Sequence, residues 1–212
     1  MDLRDVIVQT AHLDEEAHLS GLLDEGDSLR ARTSAESVVR ARSVVSRGLR
    51  RRLLSGCTGI PADHLKFREL AGGKPCLARV EGWDFNISHA GDYVVVAAGR
   101  GQVGVDLEKI RPVRAMEAIV TKYFSRDEAR AWRFLPEGAK QEGFFVLWSA
   151  REATMKCAGL GLARGVAVTR VDPAILSAGE VAATAGLLPL RLLRRTCPAG
   201  YVLILAAASG GS

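Results

Sequence analysis

Apolar and polar positions along the 212-residue chain change period several times, and each change predicts an element. Val6-Ile7-Val8-Gln9-Thr10 reads as an opening strand. From Arg30 to Arg52, Val38, Val45, Leu49 and Leu53 recur at helical spacing while arginines fill other positions, the pattern of an amphipathic helix with a basic face. Strands are expected around Phe85 to Ile87 and Tyr93 to Ala98. From Val103 to Glu108, apolar residues alternate with small or acidic ones, which is the strand period and sets Asp106 and Glu108 side by side on one face. Ser125 and Glu128 have capping-box spacing, so a helix starts there. A longer helix covers Phe144 to Cys157. Its Phe144, Phe145, Leu147 and Trp148 are chiefly core, while Glu152 and Lys156, four apart, share another face. Apolar strands at Val166 to Val171 and Tyr201 to Ala207 complete the pattern, and Ser209 to Ser212 read as a frayed end.

This order divides the chain into an N-terminal lobe, 1–103, and a C-terminal lobe, 104–212. A faint echo links them: Ala90-Gly91-Asp92-Tyr93-Val94-Val95-Val96-Ala97-Ala98 against Ala199-Gly200-Tyr201-Val202-Leu203-Ile204-Leu205-Ala206-Ala207. It is too short to prove duplication.

Two carboxylates as close as Asp106 and Glu108 repel unless a cation sits between them. A third carboxylate, Glu152, and the ammonium of Lys156 complete a set that suits a magnesium-bound phosphate ester. Each piece alone has an ordinary explanation, a solvated sheet face for the acidic pair and a surface ion pair for the helix.

A third stretch, Phe85-Asn86-Ile87-Ser88-His89, preceded by Gly73-Lys74-Pro75-Cys76-Leu77, changes that balance. With Gly104-Val105-Asp106-Leu107-Glu108, Phe124-Ser125-Arg126-Asp127-Glu128, and Trp148 to Lys156 followed by Gly159-Leu160-Gly161-Leu162, the chain resembles the 4′-phosphopantetheinyl transferases, specifically the monomeric, two-lobed surfactin type. The five motifs occur in the family's order between Gly73 and Leu162. One departure is Arg151, where the family pattern has lysine. The resemblance implies an α+β fold, a pseudo-twofold arrangement of two similar α/β lobes with the active site at their interface. It implies magnesium-dependent transfer of 4′-phosphopantetheine from coenzyme A to a serine of an apo acyl, peptidyl or aryl carrier protein, with 3′,5′-ADP released. By the same resemblance Asp106, Glu108 and Glu152 hold Mg2+, and Glu152 and Lys156 are catalytic. Arg42, Lys74, Ser88, His89, Asp106 and Lys156 bind substrate; Arg42 and Arg47 match the family's R-x-x-x-x-R, and Arg32 and Arg40 are alternatives to Arg42 for the 3′-phosphate. Asn86 reads as a turn or strand-end organiser. Carrier domains of this kind present an acidic helix, so Arg111, Arg114 and Lys122 beside Val113, Met116 and Ile119 are a candidate rim, or an ordinary connection.

Composition narrows the alternatives. With 48% apolar and 25% charged residues the chain can bury one good core or two small ones, and a net charge of +5 favours anionic partners without choosing among them. A nucleic-acid module would use the arginines but leave the three carboxylates without purpose, and 6% aromatic content offers few stacking platforms. A phosphohydrolase with water in place of serine is chemically closer. Cys57, Cys76, Cys157 and Cys197 are scattered, without zinc-ligand spacing, and read as reduced thiols. The start Met1-Asp2-Leu3-Arg4-Asp5 lacks a signal-peptide pattern and no apolar run is long enough to span a bilayer, so a cytoplasmic address without a membrane partner is expected; the resemblance adds a monomer without a nucleic-acid partner. The glycines of Gly159-Leu160-Gly161 and Gly165 miss the dinucleotide fingerprint by one position and follow a helix.

Overall fold

A computed structural model describes residues 2–33, 36–70 and 73–209, so all but Ser209 of the expected frayed end lies outside the described residues. In chain order the elements are β1 (Ile7–His12), α1 (Glu16–Ser20), α2 (Glu25–Arg32), α3 (Ser37–Thr58), β2 (Phe67–Glu69), β3 (Pro75–Leu77), β4 (Trp83–Ala90), β5 (Tyr93–Arg100) and β6 (Val103–Lys109). There follow α4 (Met116–Tyr123), α5 (Arg126–Arg133), α6 (Glu137–Cys157), α7 (Leu162–Val168), β7 (Thr169–Val171), β8 (Glu180–Ala185), β9 (Leu188–Arg195) and β10 (Tyr201–Ala208). Among the described residues the strands form antiparallel sheets ordered β1-β5-β4, β6-β10-β9-β8-β7 and β2-β3.

Alternation along β5 and β10 builds the layers. Val94, Val96 and Ala98 pack with Val45, Leu49 and Leu53 of α3. Val95 and Ala97, on the other face, join Val103, Val105 and Leu107 of β6 and Leu203 and Leu205 of β10 in a central core. Val202, Ile204 and Ala206 pack with Phe144, Leu147 and Ala150 of α6. The stack is therefore α3, first large sheet, second large sheet, α6. The faint echo in the sequence falls on equivalent places: β5 and β10 each carry a helix of similar length, α3 of 22 and α6 of 21 residues. Tyr93 and Tyr201, which open the two echoed strands, meet edge-on at 5.2 Å between ring centroids. This is the α+β, pseudo-twofold pair of α/β lobes that the resemblance implies.

Several local expectations change. The arginine-rich stretch from Arg30 to Arg52 is divided between α2 and α3, and α2 starts where the Asp24 carboxylate accepts from Asp27 N at 2.8 Å. The strand expected at Val166 to Val171 is helical through Val168. Gly165 lets α7 dock on α6, since a Cβ there would strike the Met155 side chain, and only Thr169–Val171 is extended. Asn86 is neither at a turn nor at a strand end but in the middle of β4, 6% exposed. The β8–β9 hairpin is new to the reading. Its buried positions Val181, Ala183 and Ala185 alternate correctly but are too small to stand out, and Gly186 turns the chain at φ 62°.

The capping box is present, with Glu128 N donating to Ser125 Oγ at 3.3 Å and Ser125 N to Glu128 Oε2 at 2.8 Å. Glu128 does more. Wholly buried, it also accepts from Arg151 Nη1 at 2.8 and 3.1 Å and from Val171 N at 2.9 Å. Arg151 donates further to the carbonyls of Thr169 (3.2 Å) and Val166 (2.7 Å), so one buried ion pair ties α5, α6, α7 and β7 together.

Candidate active site

The site is assembled by β4, β6 and α6. Helix α6 approaches β6 so closely that a Cβ at Gly104 would meet the Ala153 carbonyl and the backbone of Cys157, which makes glycine a steric requirement there. Lys156, one residue before Cys157, is thereby brought over β6. Its Nζ donates to Asp106 Oδ1 at 2.6 Å and to Ser88 Oγ at 3.0 Å, and Ser88 Oγ donates to the same Asp106 oxygen at 3.0 Å. Asp106 is 4% exposed, and its second oxygen, Oδ2, is buried without a partner.

Glu108 and Glu152 lie in the same field. Burial raises the pKa of each, and the Asp106 charge raises both further, with Glu108 acting on Glu152 as well; Lys156 opposes the rise in both. Glu108 is held by Arg111 at 3.0 Å. Among the described residues, no three acidic, histidine or cysteine side chains close around one point.

A basic flank adjoins it. Arg42 of α3 donates to the Gly91 carbonyl in the β4–β5 turn at 3.3 Å, and its buried Nε has no partner. His89 stands at the surface. Its pKa is lowered by desolvation and then by Arg42 and Lys156, with Asp106 opposing, so Arg42, His89 and Lys156 share one neighbourhood with Asp106.

Lys74 lies apart from this group. Its ammonium is held between Asp84 and the Val103 carbonyl, three residues of strand from Asp106, roughly 10 Å at strand rise. Pro75, beside it, lines a cleft of about 410 Å³ in which Arg30, Arg47, Arg50 and Arg68 outnumber the carboxylates of Asp27 and Glu69, with Phe67 between them. Asp27, 2% exposed, gathers Arg47, Arg50 and Arg51 at 3.3, 2.8 and 2.7 Å. The basic helix is thus not wholly a solvated face: Arg51 is 1% exposed, and Arg50 sits 4.0 Å over the Phe67 ring. Arg32 and Arg40 line a different cleft, with Val44. Arg68 lies outside the Arg30 to Arg52 stretch, and its meeting with Arg30 and Arg50 is not visible in the sequence because the cleft is made by three separated segments.

Arg111, Arg114 and Lys122 are exposed, while Val113, Met116 and Ile119 are partly buried against the core. Trp148 stacks on Phe144 at 6.2 Å, as its core assignment requires. Among the described residues no helix is long and apolar enough to cross a membrane.

Acidic and basic side chains interleaved at the seam of two lobes make a site suited to a polyanionic, phosphate-bearing ligand. Comparison with known proteins agrees. The family model described as 4′-phosphopantetheinyl transferase superfamily matches residues 102–199, and that described as 4′-phosphopantetheinyl transferase, N-terminal, matches residues 19–101. The 4′-phosphopantetheinyl transferase HetI of Nostoc sp. (strain PCC 7120) is 32% identical over 187 residues, covering 77% of this chain and 79% of HetI. The 4′-phosphopantetheinyl transferases psf-1 of Bacillus pumilus and Sfp of Bacillus subtilis are 33% and 31% identical over 125 and 124 residues, 59% and 58% of this chain. Those matches span about half of each relative, 53% and 50%. The chain belongs to the 4′-phosphopantetheinyl transferases.

Proposed function

We propose that this chain transfers 4′-phosphopantetheine from coenzyme A to a serine hydroxyl of an apo acyl, peptidyl or aryl carrier protein and releases 3′,5′-ADP. The observation that carries the reading is the Ser88–Asp106–Lys156 hydrogen-bonded group with Glu108 and Glu152 in its field. Its lobes are 1–103 and 104–212, meeting at the start of β6.

The acidic rim fits Mg2+: Asp106 Oδ2 is a buried oxygen without a partner, and the trio's mutual repulsion favours a cation. Asp106, Glu108 and Glu152 would hold the ion, which when bound would offset the charge of the diphosphate.

The rest of the chemistry belongs to the chain. The carrier Oγ forms a bond to the β-phosphorus while the bond from that phosphorus to the oxygen of 3′,5′-ADP breaks. Glu152 takes the hydroxyl proton, directly or through water, and its raised pKa makes it a stronger base than an exposed carboxylate. Lys156 donates toward the charge growing on the diphosphate. Ser88 and His89 orient the coenzyme phosphates, and Arg42 supplies positive charge beside them. The Arg30–Arg47–Arg50–Arg68 cleft extends the basic surface for the coenzyme's 3′-phosphate end, and Lys74 supports the hairpin that carries Pro75 along it. Arg111, Arg114 and Lys122 offer a basic face to an acidic carrier helix.

Intact-protein mass spectrometry of an apo carrier with this protein, coenzyme A and Mg2+ tests the reading. The expected result is one phosphopantetheine added, absent without Mg2+ and absent when the carrier serine is replaced. Glu152→Gln should bind coenzyme yet lose turnover. Coenzyme breakdown without carrier modification would show a hydrolase instead.

A further inference from the structure

Among the described residues, main-chain pairing stops at the seam between the two large sheets. β4 is the outer strand of one and β6 of the other, and they lie side by side without exchanging backbone hydrogen bonds. Side chains of β4 do that work. Val103 N donates to Asp84 Oδ2 at 2.9 Å, Val105 N to Asn86 Oδ1 at 3.1 Å, and Leu107 N to Ser88 Oγ at 3.2 Å. Each pair is 19 residues apart, so three rungs climb both strands in step at the two-residue period of a strand. Lys74 closes one end, through Asp84 and the Val103 carbonyl. At the other end the third rung is Ser88, whose hydroxyl also meets Asp106 and Lys156.

We infer that Asp84 and Asn86 are positioning residues for the reaction: their side chains set the height of β6 against β4, and so place Asp106 against Ser88 and Lys156. Only one register satisfies the ladder. A one-residue slip would face the buried amides with Phe85 and Ile87, which cannot accept. Neither Asp84 nor Asn86 needs to touch substrate for this. The inference rests on the proposed roles of Ser88, Asp106 and Lys156, so its test includes measurements that do not depend on turnover.

Asn86→Leu removes the middle acceptor at similar size, and Asn86→Gln keeps the amide but lengthens the rung by one methylene, which repeats the test should the leucine variant not fold. Asp84→Asn reads the first rung, and Asp63→Asn, the same change at an exposed carboxylate outside both strands, is the control. In Asn86→Leu the Val105 and Leu107 amides should exchange with solvent about tenfold faster, as loss of one buried acceptor implies. Amides of Asp106 and Ile204, on the β6–β10 side, should keep their protection. The NMR signal of the Lys156 ammonium should shift in both Asn86 variants, and kcat should fall about tenfold with KM for coenzyme A little changed, the signature of lost positioning. Asp63→Asn should resemble the parent in all three, whereas Asp84→Asn, which gives up the Lys74 ion pair, should speed exchange of the Val103 amide. Faster exchange with an unmoved Lys156 signal would reduce the ladder to architecture, and unchanged exchange would remove it altogether; either overturns the inference. A parent protein without transfer activity would refute the function while exchange and the Lys156 signal still judge the ladder.

Discussion

Replacing Arg151 with the lysine of the family pattern should weaken this protein without slowing its chemistry. Arg151 is 2% exposed and spends one guanidinium nitrogen on Glu128 and the Thr169 carbonyl and the other on the Val166 carbonyl. A lysine ammonium is a single point and can stay with Glu128, but it cannot span to Val166 as well. The cost is that of a buried acceptor left unpaired, about 1–3 kcal/mol. For a chain of this length each kcal/mol lowers Tm by about 2–4 °C, so Arg151→Lys should melt roughly 2–12 °C below the parent. Calorimetry with urea unfolding measures this, and kcat on the folded variant should stay within about twofold, because the side chain is turned toward α5 and β7 and away from Asp106. An unchanged Tm would refute the account of the ion pair. A large fall in kcat at unchanged Tm would bring Arg151 into the reaction.

Gly104→Ala would push a methyl into the α6 backbone; overpacking of this kind costs about 1–3 kcal/mol, and lifting Lys156 from Asp106 should lower kcat more than it raises KM for coenzyme A. Cys157, whose thiol donates to the Gln102 carbonyl and is pushed by burial to about 12, should resist iodoacetamide at pH 8 until the protein is unfolded; labelling as fast as that of Cys76 would contradict the packing. Asp27 is raised by burial but lowered more by Arg50 and Arg51, so its folded pKa is below the unfolded value. Its contribution is complete above the unfolded pKa and lost as pH falls through the folded one. Asp27→Asn should therefore be less stable at neutral pH and show a smaller stability loss on acidification below about pH 4, seen in urea midpoints across that range.

What was legible in the sequence was whatever depends on local period or on contiguous motif. Asp106 beside Glu108, Glu152 one turn from Lys156, and the Ser125 cap each follow from spacing within one element, and the motif resemblance supplied the fold. What was not legible depends on three-dimensional meeting points. Asp27 looks like one more surface acid until α3 folds against it with Arg47, Arg50 and Arg51. Glu128 reads as a cap because its second partner, Arg151, lies 23 residues away. Asn86 was misplaced because a lone asparagine usually marks a turn, although Asp84, Asn86 and Ser88 alternating with Phe85 and Ile87 already traced a polar strand face.

The side-chain rungs at the seam also bear on solubility. β4 and β6 would otherwise be two open strand edges, each able to recruit a strand from another molecule. Bound to each other, they leave β1 and β7 as the outermost strands of the two large sheets, and β7 is three residues long with a charged Arg170 at its centre. Cutting the chain between the lobes would uncover both hidden edges at once. An isolated lobe should then form aggregates that light scattering would detect, while the two fragments mixed during refolding should stay dispersed.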